Sequence, residues 1–461
     1  MPEINDVGRR MREDWNRRAS EDAHYYVAFG RRNQSGEEFF ETALEQVNGF
    51  KRELKRLGPG NARARRALEI GCGPGRLLKP MSAFFGEIHG IDVSDEMVKR
   101  AAENLADIPH IHVRPAPDST LSAFADDSFD FVYSYAVFQH IPSREVVFGY
   151  LHEAGRVLKP GGILRCQING LPASAKIYDT WSGVRVSPDE VRELARSQGL
   201  ALLALEGTGT QYMWTTMRKA ASSNKQVRPL PDGRGSEPVS EPRATASGLP
   251  LSAVVDTPIA IRRVTNANSS EPAAPVRGRF AALSLWVEGL PEWADLLRLE
   301  VYVDGLPTLL TYLAPPEADG MCQLNLHLPD GLHSGLKPVT LALDGVTVAE
   351  SRIRLTRPGP PVPRVVALSD GIDLLSGLNI VTGSIKAALE EVERPDELTA
   401  QVSWSGGSAP GLELEHFCTN PRVPSHELNF RVPPPVPPGP AEVTISMGRR
   451  VLSRAAVTIS G

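Results

Sequence analysis

Three glycines at alternate positions follow an acidic residue in the stretch Ala67-Leu68-Glu69-Ile70-Gly71-Cys72-Gly73-Pro74-Gly75-Arg76. Glycine tolerates positive φ and carries no Cβ, so a ligand can lie directly against such a backbone. The stretch therefore predicts a binding turn. A dinucleotide fingerprint would place a third glycine three residues after the second, and Arg76 stands there instead. A second carboxylate, Asp92, closes the run Gly90-Ile91-Asp92-Val93-Ser94, with Met97-Val98 just beyond it. Further on, Ser128-Phe129-Asp130-Phe131-Val132-Tyr133-Ser134 reads as a buried strand, and His140 follows in Val137-Phe138-Gln139-His140-Ile141-Pro142. An imidazole there could take a proton, or could hold the turn before Pro142.

The elements that must position these groups follow from periodicity and breakers. Apolar runs predict strands at 66–70, 87–91, 110–113, 129–134, 162–168, 201–206 and 211–217, with helices between the first five and at 188–198. Ser187 as N-cap and Pro188 at the first helical position mark the start of the last helix. Alternating strands and helices predict a doubly wound α/β sheet with ligands at the carboxyl ends of its strands. The connection Gly207-Thr208-Gly209-Thr210 is too short for a parallel crossover, so the last strand should return antiparallel.

The ordered blocks resemble those of the class I S-adenosylmethionine (SAM) methyltransferases of the small-molecule type. Leu158-Lys159-Pro160-Gly161-Gly162-Ile163-Leu164 looks like the turn and fifth strand of that family, and the resemblance covers roughly residues 60 to 218. It implies a Rossmann-like sheet of seven strands and S-adenosyl-L-methionine as cofactor. Glu69 would then help hold the methionine end, with the backbone of Gly71, Cys72, Gly73 and Gly75 close by. Asp92 would accept from the ribose hydroxyls, Val93 and Met97 would flank the adenine, and Asp118 would meet the adenine amino group or act only as a turn residue. Tyr133, Ser134 and Tyr135 would line the reaction chamber, Asp130 would support the sheet or take part in catalysis, and His140 would be the general base for an oxygen acceptor. No Asn/Asp-Pro-Pro-Tyr/Phe motif follows the fourth strand, which disfavours amino-group methylation of DNA or glutamine.

At 461 residues the chain should hold about three domains. Residues 1–60 read as an N-terminal helical cap, in which Trp15, His24, Tyr25 and Tyr26 either line the substrate side or anchor the helices. Residues 61–219 form the methyltransferase domain, and 220–257, dense in Ser, Pro, Gly and charge, a flexible linker. Two β repeats follow at 258–357 and 361–461. Leu324-Asn325-Leu326-His327-Leu328-Pro329 answers Leu428-Asn429-Phe430-Arg431-Val432-Pro433, Gly335 answers Gly439, and Val339-Thr340-Leu341 answers Val443-Thr444-Ile445. Their size and strand density suit immunoglobulin-like sandwiches. The first resembles uncharacterised bacterial C-terminal sandwich domains, through Asp304-Gly305, Gln323-Leu324-Asn325 and Leu328-Pro329.

A net charge of −5 supplies no basic field for nucleic acid. The cluster Lys51, Arg52, Lys55, Arg56, Arg63, Arg65 and Arg66 lacks interleaved aromatics and reads as a solvated helix face. No apolar run reaches the length of a membrane span and the first residues lack signal-peptide character, so a cytoplasmic chain is expected. Cys72, Cys166, Cys322 and Cys418 show no metal-ligand spacing, and no metal is expected. The reading is methyl transfer to oxygen or nitrogen of a small molecule, a saccharide or a lipid intermediate. The alternatives are a SAM-binding or partner-binding scaffold whose sandwiches carry the main function, and a protein methyltransferase with sandwich docking modules.

Overall fold

The computed structural model describes residues 2–28, 34–116, 120–173, 178–180, 183–220, 258–278, 280–358, 362–371, 377–392, 394–420, 425–434 and 436–460. Asp118 lies outside them, as does all of the expected linker except Ala220.

The N-terminal segment folds as helices α1 (Pro2–Ala28), α2 (Gly36–Glu41) and α3 (Leu44–Leu54). Helix α1 kinks at Asp22, whose φ of −168° is extended, and the Asp22 carboxylate accepts from the Tyr25 N–H at 3.0 Å, capping the second segment. Helix α2 starts on a capping box between Ser35 and Glu38.

Strands β1 (Arg66–Ile70), β2 (Glu87–Asp92), β3 (Ile111–Pro115), β4 (Phe129–Ser134), β5 (Leu158–Ile168), β6 (Leu200–Glu206) and β7 (Met213–Lys219) are interleaved with helices α4 (Leu78–Met81), α5 (Asp95–Asn104), α6 (Arg144–Val157) and α7 (Pro188–Ser197). The helix expected between β3 and β4 is not formed among the described residues, which cross there in turns. Their spatial order is β3-β2-β1-β4-β5-β7-β6, and β7 runs antiparallel to both β5 and β6. The strands lie within two residues of their expected bounds at nearly every end, except that β5 begins four residues early. Asp130 sits at the amino end of β4, where its carboxylate accepts from the Arg66 N–H at 2.8 Å and pairs with Lys159 at 2.7 Å. It therefore fastens β1 and β5 to β4 far along the strand from their carboxyl ends.

The sheet does not stop at β6. Tyr312 of the strand Leu309–Leu313 pairs antiparallel with Ala204, and the sheet runs on through Cys322–His327, Ala282–Glu288 and Ala260–Asn266. A second sheet, built around Leu299–Val303, Gly335–Leu343 and Val346–Thr356, packs over this extension. One buried cluster joins Leu68 and Val132 of the α/β sheet to Leu285, Leu324 and Leu341 of the first β repeat. The second repeat pairs a four-stranded sheet with a five-stranded one around its own core of Ile385, Leu389, Phe430 and Val443. The turn at Asp304-Gly305 has φ of 53° and 78°, the pair of positive values that a type I′ hairpin turn requires.

The basic cluster is not simply a solvated face. Arg56 is 4% exposed beside a fully buried Glu53 at 2.6 Å, and it donates to the Leu313 carbonyl at 2.7 Å. The Arg52 and Arg56 guanidinium groups lie 4.3 and 5.1 Å from the Tyr312 ring centre. These cations mount the first β repeat on the α/β sheet. Pattern alone could not reveal it, because the partner ring lies hundreds of residues away in sequence.

Candidate active site

The glycine turn is fixed by hydrogen bonds to the neighbouring strand. Gly71 and Cys72 both donate to the Ile91 carbonyl, at 2.8 and 2.9 Å, so the turn leaving β1 lies against the end of β2. Gly71 has φ of +74°, and a Cβ there would fall 2.2 Å from Val137 Cγ2, so only glycine fits. Asp92 completes the arrangement. One carboxylate oxygen accepts from the Gly73 N–H and the other from the Ser94 N–H, each at 2.9 Å. With Val93 as a further backbone donor, the carboxylate still keeps acceptor capacity for one more donor.

A cavity opens above this turn. Its floor is Glu69, Ile70, Gly71, Cys72, Gly73 and Asp92, with Val93 and Met97 on one wall and Tyr135 and His140 on another. Burial pushes the Glu69 carboxyl up to about 8, against the opposing pull of the Tyr133 hydroxyl and the Arg76 cation. Burial likewise raises Asp92 to about 6, moderated by its bonds to the Ser94, Gly73 and Val93 backbone. Two buried carboxyls facing one cavity make it a site for a ligand that brings cationic and hydrogen-donating groups.

Helix α1 forms the ceiling, through Met11, Trp15, Tyr26 and Val27. The Asn16 side-chain carbonyl accepts from the Ser94 hydroxyl at 2.7 Å and the Glu96 N–H at 3.2 Å, tying α1 to the start of α5. Ser94 is itself the N-cap of α5 and accepts from the Met97 N–H at 3.1 Å. Trp15 meets the His140 ring edge-on at 5.6 Å. His140 ends a short turn, Phe138–His140, and its Nε2 lies 3.2 Å from Gln139 Nε2.

Four expected positions stand elsewhere. Tyr133 is fully buried and donates its hydroxyl to Glu69 at 2.9 Å, because the two residues are register partners on β4 and β1. Ser134 is also buried, and its hydroxyl donates to the Ile70 carbonyl at 2.9 Å, bracing the turn from below. Gly75 faces Leu105, whose Cδ1 would lie 2.6 Å from an added Cβ, so its role is packing against α5. Tyr25 is 4% exposed and packs edge-on against Tyr26, turned from the cavity. His24 stacks on Phe39 at 4.1 Å and anchors the cap. The Cys72 thiol is raised well above its ordinary value by burial, so it serves as a small apolar wall.

The cavity also includes residues the sequence reading passed over. Arg76 lines it, donating to the Thr42 carbonyl and hydroxyl at 3.2 Å with its guanidinium 5.4 Å from the Tyr135 ring centre. Met11 stands one helical turn before Trp15, a spacing that could have identified it. Val137, Ile141 and Tyr150 enter from the loop after β4 and from α6, and no local pattern marks them.

A family model for a methyltransferase domain matches residues 68–166, which run from β1 through β5. Phosphoethanolamine N-methyltransferase 2 of Caenorhabditis elegans is 37% identical over 114 residues, 24% of this chain and 24% of that enzyme. The chain thus spans about a quarter of the nematode enzyme's length. Ubiquinone biosynthesis O-methyltransferase of Ruegeria pomeroyi is 30% identical over 185 residues, 34% of this chain and 70% of the relative. Among solved structures, magnesium protoporphyrin IX methyltransferase of Synechocystis with bound S-adenosylhomocysteine (SAH) is 14% identical, with a TM-score of 0.34, covering 45% of this chain and 98% of that one. The Ruegeria relative is covered over more than two thirds of its length, and the span matched by the family model carries both cavity carboxyls; the chain belongs to the SAM-dependent methyltransferases.

Proposed function

We propose that the chain transfers the methyl group of SAM to oxygen or nitrogen of a small-molecule, saccharide or lipid-intermediate acceptor, in the cavity between the β1 and β2 strand ends and helix α1. The observation that carries this reading is the placement of Glu69 and Asp92 on adjacent parallel strands, both buried, both facing one cavity beside a glycine turn. The donor set suits an S-adenosyl group. Asp92 retains acceptor capacity for a ribose hydroxyl, Glu69 offers a carboxyl to the amino-acid end, and Val93 and Met97 offer apolar surface to the base.

When bound, SAM supplies an activated methyl on a sulfonium, and the chain supplies binding, alignment and exclusion of water. Trp15, Tyr26 and Tyr135 bound the acceptor side of the cavity, with Tyr25 setting the position of Tyr26. His140 is the imidazole positioned there to hold an acceptor proton. Residues 1–60 act as the cap, and the two C-terminal β units as immunoglobulin-like sandwiches that carry no step of the chemistry. Their pairs of facing sheets and the repeat between them support this division. Among the described residues no helix is long and apolar enough to cross a membrane.

Calorimetric titration with SAM and SAH tests the reading. Wild type should bind both, and Asp92→Ala should bind at least tenfold more weakly, since a charged acceptor is lost, about 1.5–3 kcal/mol. Transfer of labelled methyl from SAM to a panel of hydroxyl and amine acceptors should then identify the substrate. No binding by the wild type, or equal binding by the variant, overturns it.

A further inference from the structure

A continuous line of charged and aromatic contacts runs from the first β repeat to the active-site cavity. Tyr312, 5% exposed, lies under the Arg52 and Arg56 guanidinium groups at 4.3 and 5.1 Å. Arg52 donates to both oxygens of Glu206, at 3.1 and 2.8 Å, and Glu206 accepts in turn from Arg165 at 3.0 Å. Arg165 is 6% exposed, and its guanidinium sits 4.5 Å from the Trp214 ring centre. Trp214 stacks on Tyr135, with centres 5.7 Å apart and planes 14° apart. Tyr135 lines the cavity and lies beneath Arg76, another lining residue.

The links through Tyr312 and Arg165 are ones that low exposure strengthens, while the more exposed Arg52–Glu206 pair is held by its two hydrogen bonds. Cation–π contacts gain when the cation is stripped of water, and ion pairs in such surroundings are held by geometry. With the Tyr312 ring removed, Arg56 stays held by Glu53 and the Leu313 carbonyl and Arg52 keeps its pair with Glu53, but Arg52 loses the aromatic face that sets the angle at which it meets Glu206, and through Glu206 the contact with Arg165 shifts. The stacked pair Trp214 and Tyr135 would follow. We infer that Tyr312 of the first β repeat is a positioning residue for the methyltransferase cavity, acting through Arg52, Glu206, Arg165 and Trp214 on Tyr135. The first repeat is then a built-in part of the catalytic body. The inference rests on the proposed function only for its ligand, and the contacts stand without it.

The experiment uses the full chain and SAH as the probe. Tyr312→Leu should weaken SAH binding about 5- to 10-fold, and Tyr312→Phe, which keeps the ring, should bind as wild type. Trp214→Leu should weaken binding similarly, and the double variant Tyr312→Leu/Trp214→Leu should be no weaker than the worse single one, because both break the same line. Unchanged affinity in Tyr312→Leu, or losses that simply multiply, overturns the inference. If Tyr312→Leu does not fold, Glu206→Gln severs the line without removing a ring and should show the same non-additivity with Trp214→Leu. A second readout needs no ligand. The emission of Trp214, isolated as the difference between each protein and its Trp214→Phe counterpart, should change in Tyr312→Leu and return in Tyr312→Phe. An unaltered difference spectrum overturns the inference even where SAH fails to bind, and an altered one without SAH binding keeps it and discards the ligand.

Discussion

Glu69 is the residue on which the electrostatics of the cavity turn. Its folded-state carboxyl sits near 8, above its ordinary value of 4.5, because burial disfavours the charge. The folded chain therefore holds a proton that the unfolded chain has lost across this interval. The stability this contributes is fully present below about 4.5 and is lost as pH rises toward 8, by roughly 1.4 kcal/mol per pH unit at most. Asp92, raised to about 6, adds the same sign at lower pH. Glu69→Gln should consequently melt progressively above wild type as pH is raised from 5 to about 9, while binding SAM less well. SAM, as a cation, should drive the proton off Glu69. Titrations near neutral pH in buffers of different ionisation enthalpy should show release of up to one proton per SAM bound, and release independent of Glu69 would contradict the assignment. Glu69 and Asp92 were legible in the sequence because strand ends and a glycine turn fix them locally. Tyr133 was not, since its cross-strand partner depends on which strand lies beside β1.

At the scale of elements, the cavity is a two-part object: the carboxyl ends of two central strands, which supply charge, and a helix that closes over them. The floor was readable from short-range spacing, and strand positions came out nearly in register with the sequence pattern. The ceiling was readable only as a helical segment with aromatics. The kink at Asp22 directs Tyr26 and Val27 to the cavity while Tyr25 turns inward, and no local pattern distinguishes consecutive tyrosines at a bend. What holds the ceiling down is a polar tether. Asn16 accepts two hydrogen bonds at the start of α5, and Arg12 pairs with Asp95 at 3.2 Å. The exposed ion pair contributes little. Asn16→Ala removes the acceptor from two donors and should cost about 1–3 kcal/mol of stability. Hydrogen exchange should then quicken in α1 more than in β1 or β4. Equal protection of α1 in both proteins would mean that apolar contacts alone seat the helix.

At the scale of the whole molecule, the two β repeats are related in sequence yet play unequal parts. Recurrent turns and strands announced both repeats, but the edge to which the first one adds was invisible, because strand addition uses backbone groups that every residue has. At that edge Leu296 donates to the Leu202 carbonyl at 2.8 Å, and Asp295 accepts from the Leu202 N–H at 3.2 Å. Leu202 and Leu205 are buried, and Leu202, Leu205, Leu296 and Leu299 share one apolar cluster. A chain ending at residue 220 would expose Leu202 and Leu205 together with an unpaired edge strand, the combination that invites aggregation. A chain ending at residue 358 would keep the whole shared core and lose only the separate core of the second repeat. The shorter truncation should therefore melt well below the full chain or precipitate, while the longer one should retain the thermal transition of the catalytic body and its affinity for SAH. Equal behaviour of the two truncations would show that the extended sheet is a contact of convenience, and a fully stable chain ending at 220 would place the methyltransferase fold's stability entirely within its own seven strands.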